Sequence, residues 1–431
     1  MAKHTIVTGL AFGDEGKGSV VDYLVRQAEN PLVVRFNGGS QAAHNVVTPE
    51  GLHHTFAQFG SGTLAGAPTH LSQHTILNPA NMVEEEKHLR TLGVTDAFDK
   101  LTIAESALII TPYHIATNRA RERARGDERH GSCGQGIGET VEDSHRLPSS
   151  SIRAADLLDL KVLTDKFKFW AEVKRQECEE LGIKDPTFDD KDLLGRATWM
   201  LNELATSVLN IVPDDWLEDQ FDDHDVIFEG AQGVLLDERL GFHPHTTWSK
   251  TTPQNAMELL NGREAFRLGV TRTFTTRHGA GPLVSDLGQL GHEMFPEEHN
   301  GTGEFQGNFR IGALDLVALN YVSAALTALS LEPHGIAVTH MERAERIPVC
   351  ESYNGEIARF YSIFIPGEHD EFPSLESQIL LTDRCSKSKP SFNEVAVADL
   401  HHVLKTTLGS KVVLESHGPT HEDKTDWMHD E

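Results

Sequence analysis

Residues 4–18 read His4-Thr5-Ile6-Val7-Thr8-Gly9-Leu10-Ala11-Phe12-Gly13-Asp14-Glu15-Gly16-Lys17-Gly18. The first seven form a buried strand, and a glycine-rich turn follows them. Ser19-Val20-Val21-Asp22-Tyr23-Leu24-Val25 then places its apolar residues on one helical face. Leu32-Val33-Val34-Arg35-Phe36 reads as a second strand, ending in Asn37-Gly38-Gly39. Strand, glycine loop, helix and strand make a βαβ unit, which implies a parallel sheet. The expected fold class is therefore α/β: a large, mostly parallel central sheet with helices on both faces and a P-loop-like N-terminal unit.

Further strand candidates are Leu101–Ala104, Ala107–Ile110, Val226–Phe228, Leu268–Phe274 and Ile336–Thr339. Each leads into a Gly-, Asp- or Thr-rich loop, and in an open α/β sheet ligands sit at the strands' carboxyl ends. The 431 residues are read as a single domain spanning 1–431. Within it, 152–223 is expected to form a helical subdomain and 352–388 a small peripheral layer. The polar tail after Glu422 is expected to fray.

Composition narrows the function. Lys and Arg number 38 against 65 Asp and Glu, a net charge of −27. Such a surface repels a phosphate backbone, so no nucleic-acid partner is expected. Small anions would need a local positive pocket. The 24 His are scattered, which suits a surface that gains charge below about pH 6.5. No apolar run reaches the roughly 18 residues of a membrane span, and the N-terminus has no leader pattern. The four cysteines, Cys133, Cys178, Cys350 and Cys385, form no CxxC pair. A reducing cytoplasm is the expected setting.

The loop Gly13–Gly18 departs from GxxxxGK[ST]. Ala11 stands at the first Gly, and Gly18 at the Mg²⁺-binding Ser/Thr. Gly13, Gly16 and Gly18 still leave backbone N–H groups exposed before a helix N-terminus, and Lys17 adds charge. A carboxylate inside an anion cradle suits a Mg²⁺ ligand or a base, which singles out Asp14-Glu15. The plainer alternative is a turn that caps a helix. The loop Asn37-Gly38-Gly39-Ser40-Gln41-Ala42-Ala43-His44 brings backbone close to a ligand, with His44 behind it. A lone His there is more often structural, but the end of a neighbouring strand, facing the first loop, favours a chemical role.

Together these loops resemble adenylosuccinate synthetase, whose hallmarks are GDEGKG near the N-terminus and a GGxxAGH loop. The likeness continues at Gly134–Gly138, Phe228–Asp237, Thr275–Pro282 and Gly418-Pro419, in family order over nearly the whole chain. The resemblance implies a ligase that phosphorylates the 6-oxo group of a purine nucleotide from a nucleoside triphosphate, usually GTP. L-aspartate then displaces the phosphate. Asp14 would take the N1 proton and bind Mg²⁺, with the Ala43 carbonyl close to the ion. His44 would act as general acid, and Lys17, with Glu15 and the surrounding backbone, would hold phosphates. Gln41, Ser132, Cys133, Gln232, Thr247 and Gly418 would contact nucleotide or phosphate. Arg146 is the nearest candidate for an arginine reaching a phosphate across a homodimer interface. Thr302 and Arg310 would take the amine donor's carboxylates, and His340 and Glu342 the donor base. The plainer reading of Gln232 is a satisfied loop amide, and of Thr247 a strand-end hydroxyl.

Several departures bear on substrates. Gln41 stands at an Asn, Ala43 at a Gly and Cys133 at a Thr. Only Arg310 remains of an Arg-rich loop, here His299–Arg310. The base-reading TKxD appears as Thr339-His340-Met341-Glu342, which opens the donor choice to ATP or dATP. Phage relatives that aminate a guanine nucleotide to 2-aminoadenylosuccinate are expected to carry a small residue at the catalytic Asp. Asp14 therefore favours IMP over GMP or dGMP. The substituted loop His299–Arg310 also speaks for a ligase of the same mechanism in specialised nucleoside metabolism, with a different acceptor or amine. The non-enzyme alternative is a nucleotide-binding sensor, which would need neither Asp14 nor His44.

Overall fold

The computed structural model describes residues 4–297, 300–355 and 373–428. Among them, ten strands form one sheet: β1 (Thr5–Gly9), β2 (Pro31–Arg35), β3 (Thr69–Leu71), β4 (Leu101–Ala104), β5 (Asn210–Val212), β6 (Asp225–Glu229), β7 (Phe266–Arg272), β8 (Gly335–Thr339), β9 (Val412–Ser416) and β10 (Lys424–Asp426). Their spatial order is β10-β9-β8-β7-β1-β6-β2-β3-β4-β5. Every neighbouring pair is parallel except β9 and β10.

β1 is buried along its whole length, as a strand covered on both faces must be. Its side chains alternate. Val7 packs with Val20, Val21, Leu24 and Val25 of helix α1 (Lys17–Gln27). Ile6 packs on the opposite face with Leu32, Val34, Phe36, Phe228 and Leu260. Each such side chain contributes about 1.5–3 kcal/mol by leaving water.

From β1 the chain runs to one edge through β2, β3, β4 and β5. It returns as β6, slotted between β1 and β2, then crosses to the other side as β7, β8 and β9. The reversal lies at β1, and a crevice opens at the carboxyl ends of β1, β6 and β7.

Four expectations change. Segment 152–223 contains the helices Leu160–Glu180 and Leu193–Ser207 but also supplies edge strand β5. Its Leu163, Phe167 and Trp170 share a core with Leu71 and Ile103 of the sheet. The tail does not fray directly after Glu422, because Lys424–Asp426 pairs with β9. Of 352–388, residues 356–372 lie outside the described residues, while helix Leu375–Ser386 buries Leu381 and Cys385 in the main core. The expected strand Ala107–Ile110 shrinks to Leu108–Ile109, paired with Ile76–Leu77 away from the large sheet. No helix among the described residues is long and apolar enough to cross a membrane.

Candidate active site

A cleft of about 1100 Å³ opens over the carboxyl ends of β1, β2, β6, β7, β8 and β9. The loop after β1 forms its floor. Gly13 and Gly16 hold φ of 88° and 86°, and between them Asp14 is also left-handed at 58°. That turn sends two adjacent carboxylates opposite ways. Glu15 points inward: its Oε1 accepts from the N–H groups of Ala11 and Gly13, both at 2.9 Å. Its Oε2 holds the Lys17 ammonium at 2.5 Å, and both side chains are buried. Glu15, read from the sequence as a phosphate contact, thus organises the loop from beneath and occupies two of its N–H donors. The anion cradle that remains is the first turn of α1. Gly16 caps it without a side chain, no acidic residue follows, and first-turn N–H groups have no intrahelical partner.

Asp14 points into the cleft. Its Oδ2 lies 2.9 Å from His278 Nε2, and its backbone carbonyl accepts from Arg272 Nε. Burial raises its pKa, but the His278 bond and the charges of His278, Arg272 and Lys17 outweigh this, so the carboxyl sits below its usual range. His278 moves the other way: burial lowers its pKa, and the bond and charge of Asp14 raise it further than that. Arg272 is braced by Glu297 at 2.7 Å.

His44 opens the ribbon that follows the second glycine loop. Asn37 ties that loop to the one after β6, donating to the Ala231 carbonyl at 3.1 Å and accepting its N–H at 2.7 Å. His44 Nδ1 lies 2.5 Å from Glu229 Oε1, at the end of β6. Glu229 also accepts from the Ser61 N–H at 2.9 Å and from the Ser61 hydroxyl. Burial pushes the Glu229 carboxyl up, but Arg35, His44 and Ser61 hold it at about 2. Burial keeps His44 below its ordinary pKa despite Glu229. An ionised carboxylate only accepts, which fixes the proton on Nδ1 and turns Nε2 to the cleft. Gly18 permits this approach: a Cβ there would lie 2.9 Å from His44 Cβ.

One arm of the cleft is lined by Gln41, Ser132, Cys133, Gln232 and Thr247. Both amide atoms of Gln41, and Gln232 Oε1, are buried without a hydrogen-bond partner among the described residues. Gln232 is left-handed at φ 59°. Buried orphan amides aimed into a cleft are ready for a polar ligand. Burial pushes the Cys133 thiol up to about 11, so it stays neutral. Asn118 holds Ser132 Oγ at 2.9 Å and Glu139 at 3.2 Å, and burial lifts the Glu139 carboxyl to about 6.

The other arm runs past α1 to the loops after β8 and β9. His340 (φ 62°), Glu342 and Gly418 line it. Glu342 is engaged by Arg343 Nε at 3.1 Å and faces His340 Nδ1 at 3.7 Å.

Of the residues expected from sequence, Gly13, Asp14, Glu15, Gly16, Lys17, Gly18, Gln41, Ala43, His44, Ser132, Cys133, Gln232, Thr247, His340, Glu342 and Gly418 all line this cleft. Arg146, Thr302 and Arg310 do not. Arg146 is half exposed and held by Asp143 at 2.8 Å and Glu177 at 2.9 Å. Arg310 Nη2 donates to the Gly279 and Gly281 carbonyls, both at 2.7 Å, and so braces a turn. Thr302 bonds Asn308 at 3.0 Å within its own hairpin. Asn300 and Gln306 reach the cleft from that hairpin instead, while His299 lies outside the described residues.

Glu229, Arg272 and His278 were not singled out from sequence. For Glu229 and Arg272 the available signal was a charge at the last position of a strand, after Val226-Ile227-Phe228 in one case and Leu268-Gly269-Val270-Thr271 in the other.

A sequence model of the family described as Adenylosuccinate synthetase matches residues 6–401. The chain belongs to the adenylosuccinate synthetase family. It is thus of the ligase type that joins carbon to nitrogen at the expense of a nucleoside triphosphate. An adenylosuccinate synthetase of Clostridium botulinum (strain 657) is 31% identical over a 432-residue alignment covering 96% of each chain. One from Alkalilimnicola ehrlichii is 33% identical over 362 residues, covering 82% of this chain and 81% of its own. Among solved structures, fully ligated adenylosuccinate synthetase from Plasmodium falciparum superposes with TM-score 0.77 at 18% identity, covering 98% and 99%. A cyanophage S-2L succinoaminodeoxyadenylate synthetase bound to dGMP and dATP gives TM-score 0.61 at 15% identity, covering 99% and 95%. Both share the adenylosuccinate synthetase fold with this chain.

Proposed function

We propose that this chain converts IMP to adenylosuccinate, phosphorylating the 6-oxo group from a nucleoside triphosphate and displacing the phosphate with L-aspartate. The observation that carries the reading is the convergence of Asp14 and His44 on one cleft, each with its own orienting partner, His278 and Glu229. A sensor would need no such pair.

The purine monophosphate occupies the arm of Gln41, Gln232 and Thr247, and the triphosphate lies across the N-terminus of α1. A 6-oxo oxygen is a poor nucleophile until N1–H is removed, and ionised Asp14 accepts that proton. His44 is neutral in the free protein. A dianionic phosphoryl group arriving at Nε2 favours its protonated form, and the imidazolium then donates to the developing charge. Mg²⁺ fits these residues: Asp14 bonds His278 through Oδ2, leaving Oδ1 and the exposed Ala43 for an ion that favours one or two carboxylates with phosphates and water. Bound there, it would neutralise phosphate charge. A site completed by a second copy in a cytoplasmic homodimer belongs to the same reading, with Arg146 reaching across.

A second reading is the same chemistry on GMP or dGMP. Gln41 favours it, because its unpartnered Oε1 can accept from a 2-amino group. The donor is read as GTP or, since Arg343 already engages Glu342, ATP or dATP. Phosphate release with IMP, GMP or dGMP, each with GTP or ATP and with or without aspartate, tests all of this. Release that requires IMP and aspartate is the expected result. Release with dGMP alone among acceptors supports the second reading, and no acceptor-dependent release overturns both.

A further inference from the structure

The turn between β9 and β10 forms one wall of the donor arm. Gly418 and Pro419 line the cleft opposite Gly16–Ser19, and the Pro419 carbonyl accepts from the Ser19 hydroxyl at 3.3 Å. The Met341 N–H donates to the Ser416 carbonyl at 3.0 Å, fastening this wall to the loop after β8. Asp423 folds the turn: its carboxylate accepts from the Thr420 N–H at 2.9 Å and hydroxyl at 2.7 Å, and its carbonyl from the His417 N–H at 2.9 Å.

Lys424, the first residue of β10, reaches back beneath this turn. Its ammonium donates to the Gly418 carbonyl at 3.1 Å and to the Thr420 carbonyl at 2.7 Å. The group is largely withdrawn from water. Burial depresses its pKa to about 8, although Asp423, Asp22 and Glu342 all face it and act to raise it. No carboxylate lies within ion-pair distance of it among the described residues. An ammonium that bonds main-chain carbonyls beside a ligand cleft fixes backbone shape through charge-assisted bonds, which as a class are stronger than neutral ones.

We propose that Lys424 is a positioning residue for the nucleoside triphosphate donor: by holding the Gly418 and Thr420 carbonyls it keeps the Gly418-Pro419 wall in register with the N-terminus of α1. It acts on donor affinity and leaves the chemistry at Asp14 and His44 untouched. The assignment of this arm to the donor rests on the ligase reading above.

The test uses the full chain carrying Lys424→Met or Lys424→Arg. Losing a charge-assisted contact typically weakens binding roughly ten- to a hundredfold. The expected result is that Lys424→Met raises KM for the triphosphate by that factor. kcat at saturating donor should stay within about twofold, as should KM for the purine monophosphate and aspartate. Lys424→Arg should restore most of the donor affinity. An unchanged donor KM in Lys424→Met, or an equal rise in all three KM values, overturns the proposal. Calorimetric binding of GTP and of ATP, each with Mg²⁺ and no other substrate, separates this from the ligase reading. Tenfold weaker binding in Lys424→Met supports the role of Lys424 even if no turnover is found, and equal affinity overturns it. Should Lys424→Met fail to fold, Lys424→Gln, which keeps a neutral donor, is expected to fall between the parent and the tenfold loss; parental affinity there overturns the proposal.

Discussion

The loop after β2 and the hairpin at 300–308 face the same cleft from different kinds of support. The first leaves a central strand of a ten-stranded sheet and is fastened within a few residues, Asn37 to Ala231 and His44 to Glu229. The second departs from the smaller strand pair Thr275–His278 and Phe309–Gly312 and closes on itself, with Gly303 and Gly307 exchanging two backbone bonds at 2.9 and 3.0 Å. Where the sheet dictates position, the side chains expected to do chemistry arrive at the cleft. Where a hairpin sets its own geometry, the expected carboxylate binders, Thr302 within it and Arg310 on the strand just after it, turn away from the cleft. On the function proposed above, proton transfer is built on the rigid, sheet-anchored part and choice of amine on the hairpin.

The sharpest way to break that contrast is Asp14→Ala. Turnover should fall by roughly 10²–10⁴, the usual contribution of a positioned base, while purine monophosphate binding stays within about tenfold. Near-native turnover, measured by product formation at saturating substrates, would remove the rigid side from the chemistry.

Glu229→Gln comes next. The amide keeps the shape but loses the charge that fixes the His44 tautomer, and partners of this kind typically contribute about 10–100-fold. The sign with pH follows from two depressed groups. Glu229 titrates near 2 when folded, against 4.5 for an ordinary Glu, so its contribution is full above about pH 4.5 and is lost as pH falls towards 2. His44, also depressed, loses stability in the same direction, beginning below about pH 6.5. Thermal melts of the parent should therefore decline on acidification, and Glu229→Gln should begin lower and lose the part of the slope below pH 4.5. Parallel melting curves for the two proteins would contradict this.

Gly18→Ala sharpens the comparison in stability. The new Cβ meets His44 Cβ at 2.9 Å and Asn45 O and Ser61 Oγ at 3.1 Å, and such overpacking costs about 1–3 kcal/mol. An unchanged denaturation midpoint would show that the loop yields, and that the rigid side is softer than its bonds suggest.

The smallest effect is expected at Arg310→Leu. Since the guanidinium braces the Gly279 and Gly281 carbonyls, KM for aspartate should move only a few-fold, less than the roughly tenfold or more of a lost charge-assisted contact. Gln306→Ala, which alters a side chain that does line the cleft, should move it more. A large rise in aspartate KM for Arg310→Leu alone would mean that the hairpin reorganises when the amine binds.

Much of the fold was legible because a parallel strand must be apolar on both faces. Thr5–Gly9 and Leu32–Arg35 announce themselves, and glycine spacing marks the loops after them. Asp14 and His44 were legible because a carboxylate and an imidazole are conspicuous in glycine-rich loops. β5 and β10 were not, since three-residue edge strands carry too little pattern to stand out against helical or polar surroundings. The orientation of Glu15 was equally hidden. Two adjacent carboxylates look alike in sequence, and only the left-handed turn at Asp14 decides which one faces water. For Arg310 the residue type was visible, but its target, two carbonyls of a turn thirty residues away, emerges only when Thr275–His278 pairs with Phe309–Gly312.

Asp14, Gln232 and His340 share a left-handed backbone that glycine would adopt without strain, at a saving of about 1 kcal/mol each. A laboratory selection for thermostability alone would drift towards glycine at these three positions and, on the function proposed above, erase a base, a nucleotide contact and a donor contact. The positions where heat resistance and turnover part company would then outline the cleft, with no substrate ever added to the screen.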